Sequence, residues 1–116
     1  MKSSTIGTLH ELKAIQHFLE NDWEVFYNIK PHGPADIIIW NPETDETIKV
    51  DIKTIQAHVK SNGDSTFTFS GLGKVEDMRK FVKYFGYLKN RDEFVWFDDV
   101  IEKIGFKDEL KTKDNR

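Results

Sequence analysis

The stretch GPADIIIWNPETDETIKVDIKT, residues 33–54, reads as two β-strands joined by a turn. Residues 35–40 form a continuous apolar run around Asp36, the pattern of a central, well-buried strand. Residues 41–46 (NPETDE) are a polar turn of hairpin length, and residues 47–54 are the next strand. Side chains alternate faces along a strand. Asp51 and Lys53 therefore share one face, while Ile48, Val50 and Ile52 point to the other and supply core. Two acids and a lysine on an otherwise apolar hairpin have two explanations. One is a plain salt bridge, and the other is a bound cation with phosphodiester chemistry around it.

Before the hairpin, residues 3–20 are expected to be helical. Leu9, Leu12, Ile15 and Leu19, with Ala14 and Phe18, make a broad apolar stripe at helical spacing. Ser3, Ser4 or Thr8 is the expected N-cap, and Asn21-Asp22 the stop. Glu11 lies beside the stripe, where a carboxylate is costly unless paired or bound to an ion. Thr8 and Glu11 equally fit the S/T-x-x-E capping box, in which Glu11 only closes the first turn. Residues 23–29 (WEVFYNI) have strand composition and are broken by residues 30–34 (KPHGP).

After the hairpin come a loop at 61–64, a half-exposed strand at 66–70, a turn at 71–73 and a short helix at 74–80. Strands at 82–88 and 93–97 flank a four-residue connection, Lys89-Asn90-Arg91-Asp92. A single helix running from 74 through 88 competes with this, but Gly86 and the aromatic density favour strand. Asp98 is the expected cap of a last helix, 99–104. The reading is one domain over 1–106 and a charged tail over 107–116.

Composition bounds the function. The chain has 116 residues, 38% hydrophobic, and no cysteine, which excludes disulfides and thiolate metal sites. No apolar run is long enough to span a bilayer and the N-terminus lacks a secretory signal, so a cytoplasmic protein without membrane contact is expected. The net charge of −3 alone argues against nucleic acid. Its distribution changes that: residues 49–91 carry nine basic and four acidic groups, and both flanks are acidic. A basic middle is compatible with a phosphate-binding surface, a solvated face being the plainer account. Lys30, Lys60, Lys74, Arg79, Lys80 and Lys83 are the candidate DNA contacts.

Phosphodiester hydrolysis needs an activated water, charge neutralisation at the phosphate and help for the leaving oxygen. Oxygen-ligated Mg²⁺ or Mn²⁺ supplies most of this when acidic groups hold it and leave positions open. Asp36 and Asp51, on neighbouring strands, can converge on one ion, with the backbone carbonyl of Ile52 as a further ligand. Lys53 can orient the water or stabilise the transition state. Glu11 can add a ligand through water. His10, His17, His32 and His58 show neither HExxH nor HxH spacing; His32 is of interest because its turn leads into Asp36.

These residues resemble the PD-(D/E)XK nuclease superfamily, with archaeal-type Holliday junction resolvases and small phage or bacterial endonucleases as its nearest branches. Gly7, Glu11 and Ala14 look like the family's first helix, Asp36 in GPADIII like its motif aspartate, and Asp51 and Lys53 in VDIKT like its (D/E)XK element. Ala35 separates Pro34 from Asp36, a departure from the common motif. The resemblance implies an α/β (α+β), restriction-endonuclease-like core of order αβββαβ, with a mixed sheet of four to five strands flanked by helices. It also implies Mg²⁺-dependent cleavage of DNA, with Asp36 and Asp51 as ligands and Lys53 as the catalytic lysine. Duplex or branched DNA is the expected substrate. A homodimer is expected too, because one site per chain cuts one strand, and the aromatic strands near the C-terminus are a candidate interface. The rival readings are a restriction, nicking or homing-type nuclease on linear duplex, and a non-catalytic nucleic-acid-binding module.

Overall fold

The computed structural model describes residues 1–30, 33–63, 65–69 and 80–100. Within these, α1 (Ser3–Glu20) precedes β1 (Glu24–Tyr27), β2 (Ile37–Asn41), β3 (Glu46–Val59), β4 (Ser65–Phe69), β5 (Lys83–Leu88), β6 (Glu93–Trp96) and a helical turn α2 (Phe97–Val100). The expected helix at 74–80, except Lys80, lies outside the described residues, as do His32, Lys74, Arg79 and the tail.

The helix α1 spans the expected residues, but its cap differs. Lys2 is the N-cap, in extended conformation and without a side-chain cap bond. Thr8 Oγ1 donates to the Ser4 carbonyl one turn back at 3.0 Å, so Thr8 and Glu11 sit inside the helix and form no capping box. At the other end Asn21 is the C-cap, and Asp22 at φ +66° turns the chain in the left-handed region.

All six strands form one mixed sheet in the order β1-β2-β3-β5-β6, with β4 also on β3. That is one strand more than the upper expectation. The parallel pairing of β3 with β5 replaces the antiparallel meander that the strand list alone suggests. β5 reads KYFGYL, and its last five residues are buried. A strand covered on both faces carries such a continuous apolar run, and a helix through 83–88 is ruled out.

β3, at 14 residues, is the spine. Val50 pairs with both Ile37 of β2 and Lys83 of β5, and Ile55 pairs with both Phe69 of β4 and Leu88 of β5. β2 and β4 therefore lie along the same edge of β3, opposite β5. Between their ladders residues 51–54 have no strand partner on that edge among the described residues, and the sheet is split there.

Each face has its own core. On one, Ala14 and Phe18 of α1 pack on Ile37, Ile39, Val50 and Phe85, with Ile48 and Ile52 adjoining. On the other, Ile55, Ala57, Phe67, Tyr84, Leu88, Phe97 and Val100 cluster. The expected split of Ile48, Val50 and Ile52 from Asp51 and Lys53 is therefore observed. Phe94 and Trp96 of β6, both half-buried, pack against the first core beside Phe18 and Phe85.

Candidate functional site

Asp36 stands just before β2, one step beyond the last ladder pair, Ile37 with Val50. Its backbone N–H donates to the Val50 carbonyl at 2.8 Å, so Asp36 and Ile37 both lie against Val50 and the regular ladder ends there. Its Oδ2 accepts from the Ile52 N–H at 2.7 Å. The carboxylate thus satisfies a β3 backbone donor that the split would otherwise leave open. A strand residue directs its N–H and C=O to the same edge. The Ile52 carbonyl therefore also faces the split, beside Asp36.

Asp51 and Lys53 lie on the face away from α1, with Asp51 Oδ2 3.3 Å from Lys53 Nζ and both side chains about four-fifths shielded. Burial pushes the Asp51 carboxyl up to about 7; a hydrogen bond shared with Asp36 adds to the effect, and the Lys53 charge opposes it. The ring of Tyr84, Asp51's partner across the parallel ladder, lies 5.8 Å from Lys53 Nζ. Burial and the Asp51 charge raise the Tyr84 phenol as well. Two carboxyls and one ammonium share a shielded corner, and the acids resist being ionised together.

Glu11 is held elsewhere. It hydrogen-bonds the Tyr27 hydroxyl, and this bond, its charge, partial burial and the more distant Asp36 raise the phenol. Among the described residues no three His, Cys, Asp or Glu side chains cluster closely enough to hold a metal ion. The structure thus brings together Asp36, Asp51, Lys53 and the Ile52 backbone, and sets Glu11 at the margin with Tyr27. An all-oxygen pair of carboxylates with a backbone carbonyl fits a hard divalent ion, since Mg²⁺ is commonly held by one or two carboxylates and keeps several waters.

The candidate DNA contacts scatter. Lys83 is tied to Asp98 at 2.9 Å and shares the α1 face with Phe85. Lys30 and Lys60 are exposed, Lys60 seven residues along the chain from Lys53, roughly 23 Å at strand rise. Lys80 lies over the Phe81 ring at 5.1 Å.

Two participants escaped the sequence reading. Tyr84 meets Lys53 only because β5 crosses over to run parallel to β3, which no local pattern announces. His10 is buried on α1, its Nδ1 2.6 Å from Thr54 Oγ1 and its ring 4.5 Å from that of Tyr87. Its signal was its place one turn before Ala14 on the buried face of the helix.

No protein-family model matches the chain, and no curated protein matches its sequence. Among solved structures it is similar to a bacterial homing endonuclease, I-Ssp6803I, with a TM-score of 0.57 at 17% identity. The likeness covers 83% of this chain, which spans 64% of that one. At that identity the likeness is one of fold: the mixed sheet and flanking helix of this chain are arranged as in a nuclease.

Proposed function

We propose that the chain is a metal-dependent DNA endonuclease of the PD-(D/E)XK type, with Asp36, Asp51 and Lys53 as its working groups. The observation that carries the reading is the split in the sheet. There Asp36 is pinned to the Ile52 N–H at 2.7 Å, beside an Asp51 that burial holds near pKa 7 with Lys53 at 3.3 Å. Two neighbouring acids, one of them about four-fifths shielded, repel each other when both are ionised, so the cluster points to a cation and a reaction.

Asp36, Asp51 and the Ile52 carbonyl would hold Mg²⁺ or Mn²⁺, which when bound supplies charge neutralisation at the phosphate and a more acidic water. Asp36 is oriented by its bond to Ile52, so little side-chain freedom is lost on binding. Lys53 donates toward the phosphate oxygens or the attacking water, and its removal from such a site typically costs about 10²- to 10³-fold in rate. Glu11 stays in reserve behind Tyr27, as an outer ligand reached through water.

The homing-endonuclease likeness favours linear duplex as substrate over a four-way junction. A homodimer would supply the second site that a double-strand cut needs. The test is cleavage of linear duplex, four-way junction and single-stranded DNA with Mg²⁺, Mn²⁺ or EDTA, for the natural chain, Asp36→Ala and Lys53→Ala. Metal-dependent cutting lost in both variants is the expected result. Cutting that survives either substitution removes the assignment, and preference for the junction restores the resolvase reading.

A further inference from the structure

The face of the sheet that carries Asp51 and Lys53 continues across β2 and β1, and among the described residues no helix lies over that part of it. By register its rows are Ile38 with Lys49 and Phe26, then Trp40 with Thr47 and Glu24, and they follow on from the Asp36 and Asp51 side chains, which meet just beyond the ladder's last pair, Ile37 with Val50. Successive rows are two residues apart, roughly 7 Å. Phe26 and Ile38 are 55% and 38% exposed although their strand neighbours Val25, Ile37 and Ile39 pack in the core. Together with Asn28, Ala35 and Lys49 they line a groove of about 210 Å³.

An aromatic ring and an aliphatic side chain left in water beside a lysine are a stacking surface next to a phosphate contact. That combination binds single-stranded nucleic acid, in which every base has an exposed face. Lys49 lies within the row, which argues against a second copy of the chain as occupant, because the cores of such interfaces are depleted of charge. A stacked duplex offers no base face to Phe26. The occupant that fits is a locally unpaired strand passing from the catalytic site to the next row.

We propose that Phe26, Ile38 and Lys49 form a substrate track beside the Asp36–Asp51 site, Phe26 and Ile38 receiving an unstacked base and Lys49 the adjoining phosphate. The track rests on the nuclease reading and gives it a substrate preference: DNA already unpaired, or easily unpaired, next to the cut.

The experiment compares the full chain with Phe26→Ala, Phe26→Trp and Lys49→Gln, each first checked for native circular dichroism. Binding is measured with Ca²⁺ on a plain duplex and on the same duplex with a short unpaired bubble, at several salt concentrations. The natural chain should prefer the bubble. Phe26→Ala should weaken bubble binding by about 5- to 150-fold and duplex binding far less, while Phe26→Trp retains the preference. Lys49→Gln should lower the salt slope by about one for both DNAs. A bubble preference that persists in Phe26→Ala, or that the natural chain lacks while it cuts duplex, overturns the track and leaves the nuclease reading standing. A natural chain that neither binds nor cuts any DNA overturns both. A Phe26→Ala variant that turns a dimer into a monomer with unchanged DNA binding makes the strip a contact between copies and overturns the track.

Discussion

Asp36 Oδ2 accepts the Ile52 N–H at 2.7 Å, so the carboxylate at the start of β2 is fixed by the backbone of β3 at the point where the sheet splits. This one bond gives Asp36 a structural duty besides its chemical one, and the two can be separated. Asp36→Asn keeps an oxygen acceptor for the N–H and removes the charge. It should fold within about 1 kcal/mol of the natural chain and lose cleavage. Asp36→Ala leaves the amide without its partner and should cost about 1–3 kcal/mol in urea denaturation. Equal stability of the two variants would mean that water replaces the carboxylate at Ile52.

Asp51 makes stability depend on pH. Its folded-state carboxyl, near 7, lies well above the ordinary value of 3.8, chiefly because it is buried. The folded chain therefore holds this proton more tightly than the unfolded one. The contribution to stability is full below about pH 4 and is lost as pH rises through 7. The loss should be on the order of 2–4 kcal/mol between those limits without divalent ions. Asp51→Asn should flatten that window and be the more stable protein at pH 8 in EDTA. Denaturation curves at a series of pH values check both statements.

The same proton links metal binding to pH. A cation held by Asp36 and Asp51 requires Asp51 ionised, so binding below pH 7 should release close to one proton and strengthen as pH rises, levelling above 7. Calorimetric titration with Mn²⁺ in buffers of different ionisation enthalpy measures the proton count. A count of zero at pH 6 would place the ion elsewhere.

The sequence carried more of the local geometry around Asp36, Asp51 and Lys53 than of the pairing of the sheet. Alternation placed Asp51 and Lys53 on one face and Val50 and Ile52 on the other because a period of two is local, and the structure keeps that division. The nearness of the Asp36 and Asp51 side chains followed from the hairpin. What local pattern could not hold was the partner on the far edge of β3. β5 comes from more than 20 residues further along, and only its parallel docking brings Tyr84 against Lys53. Glu11 was ambiguous for a similar reason. Its neighbour Tyr27 lies on the edge strand, and its own helix begins at Ser3, a turn and a half earlier than the capping box required.

His10 fastens α1 to the spine. The imidazole is buried, with Nδ1 2.6 Å from Thr54 Oγ1, one residue past Lys53. Burial, then the charges of Lys89 and Lys13, lower its pKa, so folding favours the neutral ring. The unfolded chain takes up that proton more readily, and stability should fall as pH drops below about 6.5, opposite in sign to the Asp51 effect. Tyr87 packs at a tilt against the same imidazole and sends its hydroxyl to Asp92 Oδ1 at 2.6 Å, which Lys13 of α1 also reaches at 3.3 Å. The helix is thus tied to β3 through the His10 ring, and to the β5–β6 turn through that ring's contact with Tyr87 and directly through Lys13. His10→Ala should cost about 2–4 kcal/mol, from the lost contacts and an unpaired Thr54 hydroxyl. Thr54→Val should cost less, since it removes the hydroxyl and keeps the volume. In the double variant the two losses should fall short of additive by about 1 kcal/mol, as expected of groups that bond each other. Strict additivity in denaturant midpoints would show that His10 fastens the helix through Tyr87 alone.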